Sequence, residues 1–515
     1  MLQEGKNMNN KILIFILCSL IFFTITFCSN TGPQTGTLSG TINLEGQSDH
    51  SGIIIGIYKL AELDPDIVEA NQKWPHIGVI INQMTEFDHR FGTLIKTGET
   101  DASGYFEIKD IPTGVYNVVA IKDSFGFRYI YNVQINDGNN ELSAKNKDKR
   151  SKIKSENSTD VLNLSSLVFD LNNRTSDLTL FPETTISSDI STPTTFLSHH
   201  HYIIEQDIIV DDELIIQPGA VVRLNEGKEI TSYGTFNAVG EYENFIWFTK
   251  NDGFSENLST IEPDSNYIWD RVALEPYSQA QVQWCKFDWA NIGLLNHING
   301  FEISNCIFRN SQCGFKAEGV DSTFCSNLLC DRITNGSCAG IYYNQVTIGQ
   351  IEKSVINDCC HGIKVKNETS PKIINNYVNE CGLGIHISFS SSPDVYFNEL
   401  YKCEMGIEVQ SFAHPNITRN NFFNNIGIFT SRTIEFYYNN LNCSLYTIKL
   451  CLFSTGFGVD IYAPNNYYYT ISEIEIQSLI YDKNDVEESL QIHIGEVFYL
   501  PFLTEEYPYA GIQSE

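Results

Sequence analysis

Tyr342, Lys364, His386 and Glu408 follow one another at intervals of 22 residues. A phenol, an amine, an imidazole and a carboxylate at one fixed interval can do chemistry if that interval brings them side by side. A base beside an acid can move a proton on or off a bound group. The same row can instead touch successive units of a polymer. Lys366 and Gln410, each two residues beyond a member of the row, take the flanking positions. What these side chains can do together depends on the element that carries them.

That element is a repeat. Glycines that precede an apolar residue recur at Gly293, Gly314, Gly340, Gly362, Gly384, Gly406 and Gly427, in steps of 21, 26, 22, 22, 22 and 21. Around Gly362, Gly384 and Gly406 every apolar position recurs in register, and the apolar residues alternate in short runs. Alternation of that kind means strands. A unit of three short strands cannot bury its apolar side alone. Stacking units at about 4.8 Å gives a continuous core and pairs each strand with the next. Equivalent residues then form columns. Residues two past Gly314, Gly340, Gly362, Gly384 and Gly406 (Lys316, Tyr342, Lys364, His386 and Glu408) are expected to face solvent, with Lys366 and Gln410 beside them.

Two other columns read as structural. Cys285, Cys306, Asn327, Ser354, Asn376, Asn398 and Asn420 are small polar groups at a bend, where amides can bond to the neighbouring coil. Cys359, Cys381 and Cys403 form an interior stack expected to stay reduced, because their Cβ vectors run parallel. A straight column of thiols also lacks the tetrahedral geometry of zinc. His199-His200-His201 has no cysteine or carboxylate at metal-site spacing and is expected on the surface. No metal and no cofactor is expected, and nothing in the sequence supports calcium. No nucleophile elbow or phosphate-binding loop occurs.

Tyr202–Val210, Leu214–Val222, Gly234–Gly240 and Ile246–Thr249 resemble the first coils of bacterial right-handed parallel β-helix proteins of the pectin-lyase type. Asn465–Tyr468, Ile476–Asp482 and Val497–Leu503 resemble their last coil, so the resemblance spans roughly Ile186 to Leu503. It implies the fold and leaves function open, because lyases, hydrolases, epimerases and adhesive proteins share it. The polygalacturonase type needs paired aspartates and a Gly-His-Gly turn. Here Cys360-His361-Gly362 lacks the first glycine. The pectate-lyase type needs clustered acids for calcium, yet Lys402 follows Asp358 and Glu380 at the equivalent turn.

Upstream, Thr100-Asp101, Gly104-Tyr105-Phe106, Ile111-Pro112 and Gly114-Val115-Tyr116 resemble a carboxypeptidase regulatory-like domain, a transthyretin-like β-sandwich, with an insertion near Ala61 to Thr97. The resemblance implies a non-catalytic spacer or binding module. At the N-terminus, Lys6 and Lys11 precede an apolar run from Ile12 to Phe27. Ile25-Thr26-Phe27-Cys28 resembles a lipobox, with Phe27 where that motif has a small residue. The resemblance implies lipidation at Cys28. A plain signal peptide and an uncleaved anchor are the alternatives.

The expected organisation is a signal peptide (1–27), a tether (28–35), a β-sandwich (36–133), a polar linker (134–185), a β-helix (186–505) and a tail (506–515). The net charge of −30 opposes phosphate backbones, so no nucleic-acid partner is expected. It also repels acidic polymers unless a local basic patch exists. The expectation is therefore an all-β, monomeric, lipid-anchored protein of the bacterial envelope, at the outer membrane or cell surface. Its β-helix would serve as a non-catalytic module for glycan or other envelope components. A polysaccharide-acting lyase, hydrolase or epimerase using Lys364, His386 and Glu408, and a periplasmic assembly factor, are the competing readings.

Overall fold

A computed structural model describes residues 34–142, 178–260, 264, 266–451 and 458–513. Cys28, the apolar N-terminal run and the basic stretch Lys145–Lys154 lie outside the described residues. No described helix is long and apolar enough to cross a membrane.

The N-terminal unit is built from strands whose apolar residues alternate. Thr35–Thr41 (β1) buries every second side chain, as does the first half of Tyr105–Pro112 (β5). The two pair antiparallel. Gly138–Leu142 (β8), expected in the linker, adds to the other edge of β1 in parallel. A second sheet orders Leu94–Glu99 (β4), Ile54–Lys59 (β3), Gly114–Lys122 (β6) and Gly126–Ile135 (β7) side by side. Leu38, Ile55, Ile57, Phe106, Ile108, Val118 and Ile135 fill the space between them. This is a β-sandwich.

The rest winds into a right-handed parallel β-helix with three faces. The first is a sheet of 12 strands, running from Thr184–Ile186 to Asn440–Leu441. The second and third are joined by the long strands Cys313–Ser326 and Ile341–Glu352. The second contains His361–Lys366, Leu383–Ser388 and Met405–Val409. The third contains Lys372–Ile374 and Asp394–Tyr396. Inside, Phe248, Phe287 and Phe308 stack at 4.8 and 5.1 Å, one ring per coil.

The repeat glycines have a direct cause. A Cβ on Gly314, Gly340, Gly362, Gly384 or Gly406 would come within 2.3–3.0 Å of the carbonyl oxygen of the next coil's repeat glycine. Only glycine lets the coils approach this closely.

The bend column is an amide ladder. Asn376 Oδ1 accepts from the Ser354 N–H, Asn398 Oδ1 from Asn376 and Asn420 Oδ1 from Asn398, each at 3.0 Å. Asn439 and Asn466 continue it at 2.9 Å. Asn327 is not part of it. Leu328 holds that position, and its N–H donates to Ser354 Oγ at 3.2 Å, while Asn327 sits one residue earlier at φ 53°. Cys359, Cys381 and Cys403 are buried and free. Burial pushes each thiol's pKa up, with the neighbouring thiol the largest cause for Cys403. One disulfide exists among the described residues, Cys313–Cys338.

The sandwich does not stand clear of the solenoid. The insertion lies along the first face. Asp64 caps the helix Pro65–Lys73 (α1), which puts Ile67, Ala70 and Trp74 onto Ile307, Leu329, Val355 and Tyr377. Phe87 and Phe127 join Val221 and Trp247 in a second apolar contact. The C-terminal tail returns to the same side, where the Gly511 N–H donates to the Arg419 carbonyl at 2.9 Å.

Candidate functional site

The first face carries many charges, all committed to holding the chain to itself. Arg309 donates to Asp331 at 3.0 Å, to Glu86 at 2.8 Å and to the Thr85 carbonyl at 3.2 Å. Arg90 grips Asp88 at 2.7 Å, and also reaches Thr249 at 2.9 Å and the Lys250 carbonyl at 3.2 Å. Although Asp88 is itself buried, the Arg90 guanidinium holds its pKa down at about 2. Lys402, read from the sequence as spoiling an acidic column, bonds Asp66 at 2.7 Å and Glu380 at 3.3 Å.

The last histidine of the tract also belongs here, and its expected surface position is corrected, while His199 and His200 are half-buried. His201 opens the strand His201–Ile204 and is 2% exposed, with Nε2 2.9 Å from the Phe127 carbonyl oxygen. Burial drives its pKa well below the ordinary value. The reason is non-local: β7 lies over it.

The second face carries the row. Parallel pairing puts Tyr342 beside Lys364, Lys364 beside His386, and His386 beside Glu408. Lys366 lies beside Asn344 and Ser388. The Lys364 ammonium is 5.4 Å from the Tyr342 ring centre. Gln410 donates to Glu408.

These side chains point out of the core as expected, but they are not freely solvated. Tyr342 is 7% exposed, and Lys364 and Glu408 are 8% exposed. The 26-residue step between Gly314 and Gly340 accounts for the first two. The extra residues fold over this face, where Cys338 is tied to Cys313 and packs with Ala339 and Tyr342. Lys364 donates to the Ser337 carbonyl at 3.0 Å, and His361 Nδ1 lies 3.1 Å from the Cys338 carbonyl oxygen.

Shelter sets the protonation states. Burial, then the charge of Lys364, lowers the His386 pKa to about 4. Burial, then Lys366, lowers that of Lys364. Burial raises that of Glu408. The 3.8 Å approach of His386 Nε2 to Glu408 is therefore a contact of a neutral imidazole with a carboxylate at neutral pH, not an ion pair. Among the described residues neither ring nitrogen of His386 has a hydrogen-bond partner. An unsatisfied buried polar group costs about 1–3 kcal/mol.

Sequence reasoning missed the corner where the second face turns into the third. Phe389 and Phe412 stand there, 49% and 65% exposed. Lys366 lies over the Phe389 ring at 4.6 Å and Arg432 over Phe412 at 4.3 Å. The available signal was a bulky aromatic beside serine at two successive turns, Phe389-Ser390 and Ser411-Phe412.

Residues 223–456 match the family described as periplasmic copper-binding protein (NosD). No curated protein and no solved structure matches the chain. The described residues do not form a site of the kind that description suggests. His361 and His386 have ring centres 5.5 Å apart, but no group of three histidine, cysteine or carboxylate side chains among the described residues converges to hold a metal ion.

Proposed function

We propose that this chain is a non-catalytic binding module of the bacterial cell envelope, and that its second face holds a glycan across successive coils. The observation that carries this reading is the state of His386. It is outward-facing, sheltered and uncharged at neutral pH, and both of its ring nitrogens lack partners among the described residues. A hydroxyl-rich, uncharged group laid across Lys364, His386 and Glu408 can donate to one nitrogen and accept from the other. Tyr342, Lys366 and Gln410 flank that line. The first face is already occupied by the chain's own N-terminal residues, whereas the second is covered only in part, by the loop that carries Cys338.

The envelope location draws on the periplasmic family matched over residues 223–456. Lipidation at Cys28, an outer-membrane or surface position and a monomeric state complete the proposal. A periplasmic location is also compatible with a second reading, a periplasmic assembly factor.

As an acid–base site the row is incomplete on chemical grounds. Glycoside hydrolysis by the common route needs a second carboxylate across the scissile bond, and Glu408 faces an imidazole.

A glycan array run beside a polysaccharide-depolymerisation screen tests the proposal. Retention of a glycan, lost in His386→Ala/Glu408→Ala, with no new ends released, is the expected result. Release of unsaturated or reducing ends, abolished in the same double variant, establishes an enzyme instead.

A further inference from the structure

Resting on the reading that the second face binds an uncharged glycan, we propose that the sugars it selects are N-acetylated. The acetamido group is read by His386 and Glu408 together with an apolar column beside them, formed by Leu383, Met405 and Ile426.

The column is made by the residue before each repeat glycine. His361 pairs with Leu383, Leu383 with Met405, and Met405 with Ile426. Each stands three residues before a member of the polar row: His361 before Lys364, Leu383 before His386, and Met405 before Glu408. The two lines share one side of the sheet, because the ring centres of His361 and His386 are 5.5 Å apart. In earlier coils the same position is held by Ile292, Cys313 and Ala339, which pack with Cys338 and with Tyr342 of the row. There the chain has covered its own apolar column. Leu383, Met405 and Ile426 are half-buried and stand outside the solenoid core. Apolar surface left partly in water favours contact with an apolar group.

The polar row supplies the other half of the recognition. His386 Nε2 and Glu408 Oε2 lie 3.8 Å apart, beyond a direct hydrogen bond. Gln410 donates to the other oxygen of Glu408, Oε1. Both ring nitrogens of His386 lack partners among the described residues. One secondary amide fits this pair. Its carbonyl accepts from the imidazole N–H, and its own N–H donates to Glu408 Oε2. The second ring nitrogen accepts from a sugar hydroxyl. A hydroxyl in place of the amide can also bond to the pair, but it brings no apolar arm. The acetamido methyl meets Leu383 and Met405, and the flexible thioether of Met405 can close around it. The group is uncharged, which suits an imidazole held neutral by its surroundings. A free amino sugar lacks the methyl and brings an ammonium toward Lys364, whose charge opposes it.

The test is calorimetric titration of the full-length chain with N-acetylchitohexaose and with cellohexaose, which has a hydroxyl in place of each acetamido group. The expected result is at least tenfold tighter binding of N-acetylchitohexaose. Leu383→Ser/Met405→Ser should abolish that preference, and Met405→Ser alone should reduce it. Leu383→Met/Met405→Leu keeps the column apolar and should keep the preference. Lys372→Gln, on the third face, should leave both affinities unchanged. Circular dichroism reports whether each variant is folded. Chitin and peptidoglycan strands share the acetamido group. Pull-down on insoluble chitin and on purified peptidoglycan sacculi tells these sources apart, and retention by either supports the inference. Equal affinity for the two oligosaccharides overturns the inference while leaving the glycan reading intact. A preference that survives Leu383→Ser/Met405→Ser also overturns it, as does binding only to glycans without acetamido groups. Binding to no glycan overturns both.

Discussion

Arg309 on the first face and His386 on the second both point outward from the same solenoid, and their surroundings differ in one respect. Arg309 reaches Glu86, Asp331 and the Thr85 carbonyl. His386 is also sheltered, yet neither of its nitrogens is bonded among the described residues. The partners of Arg309 come partly from the N-terminal insertion, which is committed to that face. The cover over the second face is a loop held by a disulfide, and it satisfies Lys364 and His361 but not His386. One face has been closed by the chain, and the other retains hydrogen-bonding capacity for something else.

The largest effect should come from opening the closed face. Arg309→Met removes the guanidinium and strands Glu86, 8% exposed at the side chain, while Asp331 keeps Arg332 at 2.9 Å and Asn357 at 3.1 Å. Breaking a buried pair from one side costs about 3–5 kcal/mol. Urea denaturation should show a loss of that size, with faster amide exchange over residues 64–90. A loss below about 1 kcal/mol would mean that the apolar contacts of Trp74 and Phe127 hold the insertion without it.

Cutting the cover of the second face comes next. Cys313→Ser/Cys338→Ser releases a link between residues 25 apart, which is worth about 2–4 kcal/mol by loop entropy. The sharper expectation is local: exchange should rise between residues 332 and 340, and the Lys364 and His361 side chains should become more accessible. Uniform destabilisation with no local change would contradict the assignment of that loop as the cover.

Acid should weaken both faces. His89 on the first face and His386 on the second have pKa values lowered from 6.5 to about 4, in each case chiefly by burial. Between those values the unfolded chain binds protons that the folded chain refuses. Stability is therefore full above about pH 6.5 and falls as the pH drops toward 4. His89→Gln and His386→Gln should each flatten the thermal-melting profile over that window. An unchanged profile in either would show that the corresponding imidazole is not held neutral.

Much of this was legible in the repeat. Steps of 21 and 22 residues fixed the coil register, and the register alone put Lys364, His386 and Glu408 side by side and Asn376, Asn398 and Asn420 in a ladder. The 26-residue step showed where register was lost, and there the reading slipped by one residue, from Leu328 to Asn327. Nothing in the spacing said that the extra residues fold over the row, because that depends on Cys338 meeting Cys313 one coil earlier. Residues 61–97 read as an insertion in the sandwich, but what they cover is set by contacts between parts of the chain hundreds of residues apart. His201 was misread for the same reason, since the residues that bury it belong to β7. Phe389 and Phe412 escaped notice because periodicity speaks for strands, and they sit in turns.

The division of labour between the faces is tested most directly by measuring glycan retention and unfolding free energy together in one variant, His386→Ala. Removing an imidazole that has no hydrogen-bond partner should change stability by no more than about 1 kcal/mol, while glycan retention falls at least tenfold. A loss of 2 kcal/mol or more, roughly the scale of a core truncation, with retention unchanged, would contradict the account and make the second face a structural surface like the first.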